Sequence, residues 1–245
     1  MARKKDLSII DVNRNRILEV AKKLFYEKGI DNTSVDEIAR TAQMSKSTMY
    51  VYFKSKEEIA NYISLEAMQY LYNNIKNIVG KQDFRSAFMK VCYFLVEFKE
   101  KYPASFELLI GEIDVEEESL EKDSCLREIY EVGERLNNLL YQLFQEKFPG
   151  KEEAAIRMET FSLWGSIYGV IALAENKEKY IKKRIKLSKK EFLERSFISL
   201  YKAIENREEA QGEEVHRREV HGDAGHKKTV HRETGHRQTA KEETL

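Results

Sequence analysis

From Ile17 to Phe53 the apolar positions fall into short helical rhythms separated by polar turns. Ile17, Leu18, Ala21, Leu24 and Phe25 form one strong stripe, which Gly29 ends. Val35, Ile38, Ala39 and Ala42 recur at i, i+3, i+4, i+7 and line one face of a helix about two turns long. Just before it stand Thr33 and Ser34, either of which can accept a hydrogen bond from an orphan first-turn amide. Asp36 and Glu37 place negative charge at the positive end of the helix dipole. Gln43-Met44-Ser45 is too short for anything but a turn. Ser45 can cap a second short helix, Lys46 to Phe53, in which Met49 and Phe53 face inward with Met44. The second short helix must therefore lie across the first.

Beyond this region the rhythm lengthens. A helix over about Lys56 to Ile78 carries Ile59, Ile63, Ala67, Leu71, Ile75 and Ile78, long enough to leave the first domain and act as a lever. After Gly80 the aromatics Phe84, Phe88, Tyr93, Phe94, Phe98, Tyr102 and Phe106 lie on two helices broken near Pro103. A long amphipathic helix, Leu126 to Phe148, stops at Pro149-Gly150, and two more follow, about Glu152 to Asn176 and Ser188 to Arg207. Between them Glu112 to Asp123 reads as an acidic, solvated loop. The prediction is an all-α chain of about nine helices; two prolines and 11 glycines in 245 residues favour it.

The bundle aromatics serve packing or a small-molecule pocket, since both use the same residue types. Phe88, Cys92, Phe106, Trp164 and Tyr168 are the pocket candidates. The Glu152–Asn176 helix is apolar on more than one face, with Ser162, Gly165, Ser166 and Gly169 interspersed, so it needs more than one partner. Phe197, Tyr201 and Ile204 on the last helix offer a complementary surface, and an intrachain core explains the same pattern.

Charge sharpens this. The net charge is zero, which argues against a general polyanion binder, yet residues 1–56 hold 12 Lys and Arg against 7 Asp and Glu. The remaining residues hold 30 against 35. The positive surplus thus coincides with the short-helix region. The polar side of its second short helix, with Lys46, Ser47, Thr48, Tyr50 and Tyr52, combines positive charge, hydroxyl donors and compact side chains, as DNA phosphates and base edges require. Thr33, Lys54 and Lys56 are candidates for phosphates, and Ser45 for the groove. Taken singly, each could be an ordinary solvated lysine or half-buried tyrosine; taken together they point to a nucleic-acid reader.

No apolar run approaches the roughly 18–20 residues of a membrane span, and MARKKDLSIIDVNRNR lacks the apolar core of a secretory signal, so a cytoplasmic protein is expected. Cys92 and Cys125 form no CxxC pair and read as reduced, buried thiols. From Glu214 the chain repeats every five residues, and all five histidines, His216, His221, His226, His231 and His236, take the third place of a repeat. That period matches no helix or strand face, and the expectation is a disordered tail without a dedicated metal site. Residues 1–215 contain no histidine, so no Ser-His or Cys-His couple and no HExxH zinc helix can form there. Neither a Gly-rich phosphate loop nor a dinucleotide fingerprint occurs. No enzyme activity, cofactor or metal is expected.

The region resembles the DNA-binding domain of the TetR family of transcriptional regulators. The resemblance runs from the Ile17–Phe25 helix through Gly29, Thr33, Val35, Ile38-Ala39, Ala42, Ser45, Met49-Tyr50, Tyr52-Phe53 and Lys56, in the family's order and spacing. The family usually has Gly where Gln43 stands, so Gln43 either carries strain or takes a different turn. The resemblance implies a homodimeric regulator, more often a repressor, that binds a palindromic double-stranded DNA operator and is released by a small-molecule effector. It implies a dimer interface on the last two helices, at Ser162, Gly165, Gly169, Phe197, Tyr201 and Ile204. The expected organisation is a flexible arm over 1–11, a helix-turn-helix domain over 12–56, a ligand-binding and dimerisation bundle over 57–207, and the tail over 208–245. A regulator of the same fold that uses DNA as a scaffold and has no effector is the alternative; it predicts a filled bundle core.

Overall fold

The first apolar stripe nucleates a helix longer than its apolar residues require. In the computed structural model, which describes residues 2–80, 82–109 and 124–206 and side chains from Ile9 onward except Leu108, α1 spans Ala2–Lys28. The stretch expected to be an arm is therefore helical from Ala2. Its sequence holds no Gly or Pro to break the ladder before Gly29, which takes φ +82° and ends the helix.

Helices α2 (Val35–Thr41), α3 (Lys46–Tyr52) and α4 (Lys56–Val79) follow, each started by a serine. Ser34, Ser45 and Ser55 accept from the amides of Glu37, Thr48 and Glu58 at 3.2, 3.0 and 3.1 Å. The stripes then close on one another: Ile17, Ala21, Ile38, Ala42, Met49, Phe53 and Ile59 form one buried cluster. Two ion pairs tie its rim, Lys22 to Glu66 at 2.7 Å between α1 and α4, and Lys28 to Glu37 at 2.5 Å between α1 and α2.

α4 continues past this cluster. Its Leu65 packs with Cys125, Ile129 and Val132 of α7 (Ser124–Lys147), so the helix is buried on two faces by two different partners. This is why Leu65 joins Ile59, Ala67, Leu71 and Ile75 in the interior, while Ile63 and Ile78 are only half-buried. α5 (Phe84–Lys101) and α6 (Pro103–Leu108) break at Pro103, which occupies the first turn of α6, where its missing amide costs nothing. α8 (Glu153–Asn176) is followed by a helical turn at Glu178–Tyr180, which loosens into a π turn at Ile181–Ile185, and then α9 over 189–206.

Every element among the described residues is helical, and no helix there is long and apolar enough to cross a membrane. Among the described residues, α4 belongs to both buried clusters and so runs across the boundary expected at residue 56. Cys92 and Cys125 are buried and not joined in a disulfide, and burial pushes the Cys92 thiol far up. The acidic stretch at 112–123 and the pentapeptide tail lie outside the described residues.

Candidate nucleic-acid interface

The turn between α2 and α3 sets the angle at which α3 is presented. The Gln43 amide donates to the Arg40 carbonyl at 3.1 Å and the Met44 amide to the Ala39 carbonyl at 2.9 Å, the paired bonds of a Schellman ending. That ending requires a left-handed residue, and Gln43 supplies it at φ +57°. Of the two outcomes expected for this position, the strained one holds. Arg16 of α1 steadies the residue, its Nη2 donating to Gln43 Oε1 at 2.8 Å. Gln43→Gly is expected to raise stability by about 0.5–1 kcal/mol, because relief of roughly 1–2 kcal/mol of left-handed strain outweighs the added chain entropy and the loss of an exposed hydrogen bond. A rise in the thermal midpoint is the check; a fall would mean that Arg16 contributes more than the strain costs.

Around α3 the helical geometry divides the side chains cleanly. Met49 and Phe53 are 1% and 2% exposed and anchor the inner face. Ser47 and Val51 lie about 160–200° round the helix from Met49 and stand furthest from the core, with Val51 79% exposed. Thr48 and Tyr50 flank them and are also exposed. Val51 is not among the residues expected at the interface from sequence, although its offset from Met49 and Phe53 places it outside.

The other expected contacts divide into two groups. Lys46 and Lys54 are exposed; Lys46 Nζ meets Asp36 Oδ1 at 2.8 Å, and that hydrogen bond is the main cause of its raised pKa. A pair this open to water contributes little and can exchange for a phosphate. The Lys54 amide donates to the Glu58 carboxylate. Ser45 is exposed, but its oxygen is committed to capping α3 and to the hydroxyls of Ser47 and Thr48 at 2.9 and 2.7 Å.

Thr33, Tyr52 and Lys56 are turned to internal work. Thr33 is buried, and its hydroxyl donates to the Gly29 carbonyl at 2.8 Å, holding the loop after α1. Its side chain therefore has no face to offer a phosphate. Tyr52 is half-buried and accepts from Asn13 Nδ2 at 2.8 Å. Lys56 Nζ donates to the Ile30 carbonyl at 2.8 Å and lies 3.5 Å from that of Asp31. Arg14 completes this supporting layer, its guanidinium 4.0 Å from the Tyr62 ring centroid and 5.2 Å from that of Phe53. Asn13, Arg14 and Arg16 were not singled out from sequence, because a polar residue's partner on another helix leaves no trace in local spacing.

The bundle candidates separate in space. Phe88 and Trp164 line an apolar cleft with Phe84, Val91, Phe144 and Leu163, of about 30 Å³. Cys92 is fully buried and does not line it. Phe106 and Tyr168 stack on each other instead, with ring centroids 4.7 Å apart and planes 11° apart. Tyr168 donates to the Glu107 carboxylate; burial first, and then that carboxylate, pushes its phenol up to about 12. On α8, Ser162 and Gly165 are exposed and Gly169 is half-exposed, beside Met158, Phe161 and Leu173, which are 63%, 70% and 51% exposed. Phe197 is fully buried, edge-on to Tyr93, so it serves the chain's own core and presents no surface. Tyr201 and Ile204 are buried.

Comparison with known proteins agrees with this arrangement. Residues 17–63 match the family described as bacterial regulatory proteins, tetR family. The chain is 32% identical over 100 residues to an HTH-type transcriptional regulator of Staphylococcus aureus strain MRSA252, covering 40% of this chain and 53% of that protein. It is 36% identical over 120 residues to the uncharacterized HTH-type transcriptional regulator YuxN of Bacillus subtilis, covering 46% and 39%. The matches thus span about half the length of these relatives or less. In fold, the chain is similar to a TetR/AcrR-family transcriptional regulator from Thermobifida fusca, with a TM-score of 0.56 at 19% identity over 76% of this chain and 95% of that one.

Proposed function

We propose, because residues 17–63 match the family described as bacterial regulatory proteins, tetR family, that this chain is a transcriptional regulator whose α3 reads double-stranded DNA in the major groove. One observation carries the reading: Ser47, Thr48, Tyr50 and Val51 form the exposed face of a capped helix whose opposite face is fully buried. Such a helix offers bases and phosphates a surface fixed in orientation before binding. Lys46 and Lys54 supply the phosphate contacts at its ends.

The regulator acts as a homodimer on a palindromic operator. Met158, Phe161, Ser162, Gly165, Gly169 and Leu173 make an exposed, largely apolar stripe along α8, and a Cβ added at Gly165 or Gly169 would meet nothing within 4 Å. Two copies of that stripe packed about a two-fold axis would place two α3 helices on successive half-sites. Gly165→Trp therefore leaves the single chain folded but blocks close approach of a second. Sedimentation should find the parent dimeric and the variant monomeric, with affinity for a two-fold symmetric site selected from genomic fragments falling at least 100-fold. A parent that sediments as a monomer, or selected sites without symmetry, would overturn this reading.

Repression relieved by a small-molecule effector is the form of regulation proposed, with α4 as the connecting element because both cores grip it. A second reading, regulation without such an effector, is favoured by the cleft beside Phe88 and Trp164. Its volume, about 30 Å³, falls well short of the ~300–1,000 Å³ usual for ligand sites. Operator release by candidate ligands separates the two.

A further inference from the structure

The bundle is acidic, yet it holds a basic island that the DNA-reading face does not explain. Residues 175–191 carry eight Lys and Arg against three Glu, the same surplus that residues 1–56 spread over more than three times the length. The rest of residues 57–245 holds 22 basic against 32 acidic side chains. The island is also shaped. Buried Ile181 anchors the π turn Ile181–Ile185, and Lys186 then takes φ +64°, a left-handed conformation that a residue with a Cβ adopts only at a cost. These two departures from the regular helix bend the chain around a cleft of about 340 Å³ lined by Glu178, Lys182, Lys186, Leu187, Ser188 and Lys189.

Local partners account for only part of this charge. Lys189 pairs with Glu175 at 2.5 Å, and Glu191 takes both the amide and the hydroxyl of Ser188, at 2.8 and 2.7 Å. The start of α9 is thus already satisfied and is not what a ligand would use. Lys182, Lys183, Arg184 and Lys186 are exposed and form no ion pair among the described residues. Glu178 in the same lining offsets only part of their mutual repulsion, and one multivalent anion bridging Lys182 and Lys186 would neutralise both at once. Ammonium groups act on phosphate as compact point charges, and the cleft lies in the size range of small-ligand sites.

We propose that this cleft binds the polyphosphate group of a small anion, held by Lys182 and Lys186 with Lys183 and Arg184 adding field. The site is separate from the α3 face and does not depend on its reading. The test is calorimetric titration of the full chain with pyrophosphate and, in a second arm, with ATP. Comparable binding of both assigns recognition to the polyphosphate alone, and tighter ATP binding assigns a nucleotide; either supports the site.

Lys182→Gln with Lys186→Gly removes both ammonium groups while suiting the left-handed backbone. It should weaken binding at least tenfold, whereas Lys23→Gln, an equally exposed cation on α1, should leave it unchanged. If the double variant melts lower, Lys182→Gln with Lys186→Asn keeps the turn by another residue that tolerates it. No measurable heat, sulfate competing equally at matched ionic strength, or unchanged binding in the double variants would overturn the proposal. So would a variant that loses duplex DNA binding while the parent binds no pyrophosphate, because the island would then serve a polynucleotide.

Discussion

Replacing Phe53 with alanine is expected to destabilise the protein by about 3–5 kcal/mol, a larger effect than expected for any other substitution proposed in the α1–α4 cluster. Phe53 is 2% exposed and stands at the junction of three helices. Its amide closes α3 by donating to the Met49 carbonyl at 3.1 Å, its ring meets Tyr62 of α4 edge-on at 5.7 Å, and Arg14 of α1 covers it. Truncation would open a cavity where these helices converge and strip Arg14 of one of its two aromatic supports. Chemical denaturation monitored by circular dichroism reads the loss. Phe53→Leu, which keeps most of the volume, should cost only about 1–1.5 kcal/mol. If the two variants were equally destabilised, the ring-to-ring and cation contacts, rather than cavity formation, would set the cost.

Replacing Tyr50 with alanine should act oppositely, leaving stability nearly unchanged and weakening binding. At 46% exposure the ring contributes little to the core. Its place beside Ser47 and Val51 puts it against bases or sugars in the proposed complex. A contact of that kind carries about 1–3 kcal/mol, equivalent to a roughly 5- to 150-fold loss of affinity for the selected site. Tyrosine carries no charge at neutral pH, so the slope of log affinity against log salt should run parallel to the parent's. A shallower slope would mean that Tyr50 positions a phosphate-binding cation such as Lys46 rather than meeting the DNA directly. Unchanged affinity would mean that α3 docks by another face.

Several parts of this fold are legible from local spacing. The stripe at Ile17–Phe25, the four-residue step from Met49 to Phe53 and the break at Pro103 each state where a helix runs and which side it buries, because those features follow from 3.6 residues per turn and from the chemistry of proline. Gln43 belongs with them: a residue without glycine's freedom at the end of a Schellman turn had to be strained or displaced, and it is strained. The roles of Thr33, Tyr52 and Lys56 were not legible. All three are polar residues beside the helix proposed to read DNA, and all three are turned inward to Gly29, Asn13 and Ile30.

The basic island at 175–191 shows the same division in the other direction. Its composition stands in the chain, but the π turn beside buried Ile181 and the left-handed Lys186 are seen only in the fold. Sequence alone determined the helical class, the order of the helices, and the apolar faces that make α2 and α3 cross, since each depends on residues within a few turns of one another. Only the tertiary structure decided which polar side chains remain available for the proposed DNA contact, because that depends on whether a carbonyl or amide from a distant helix has already claimed them.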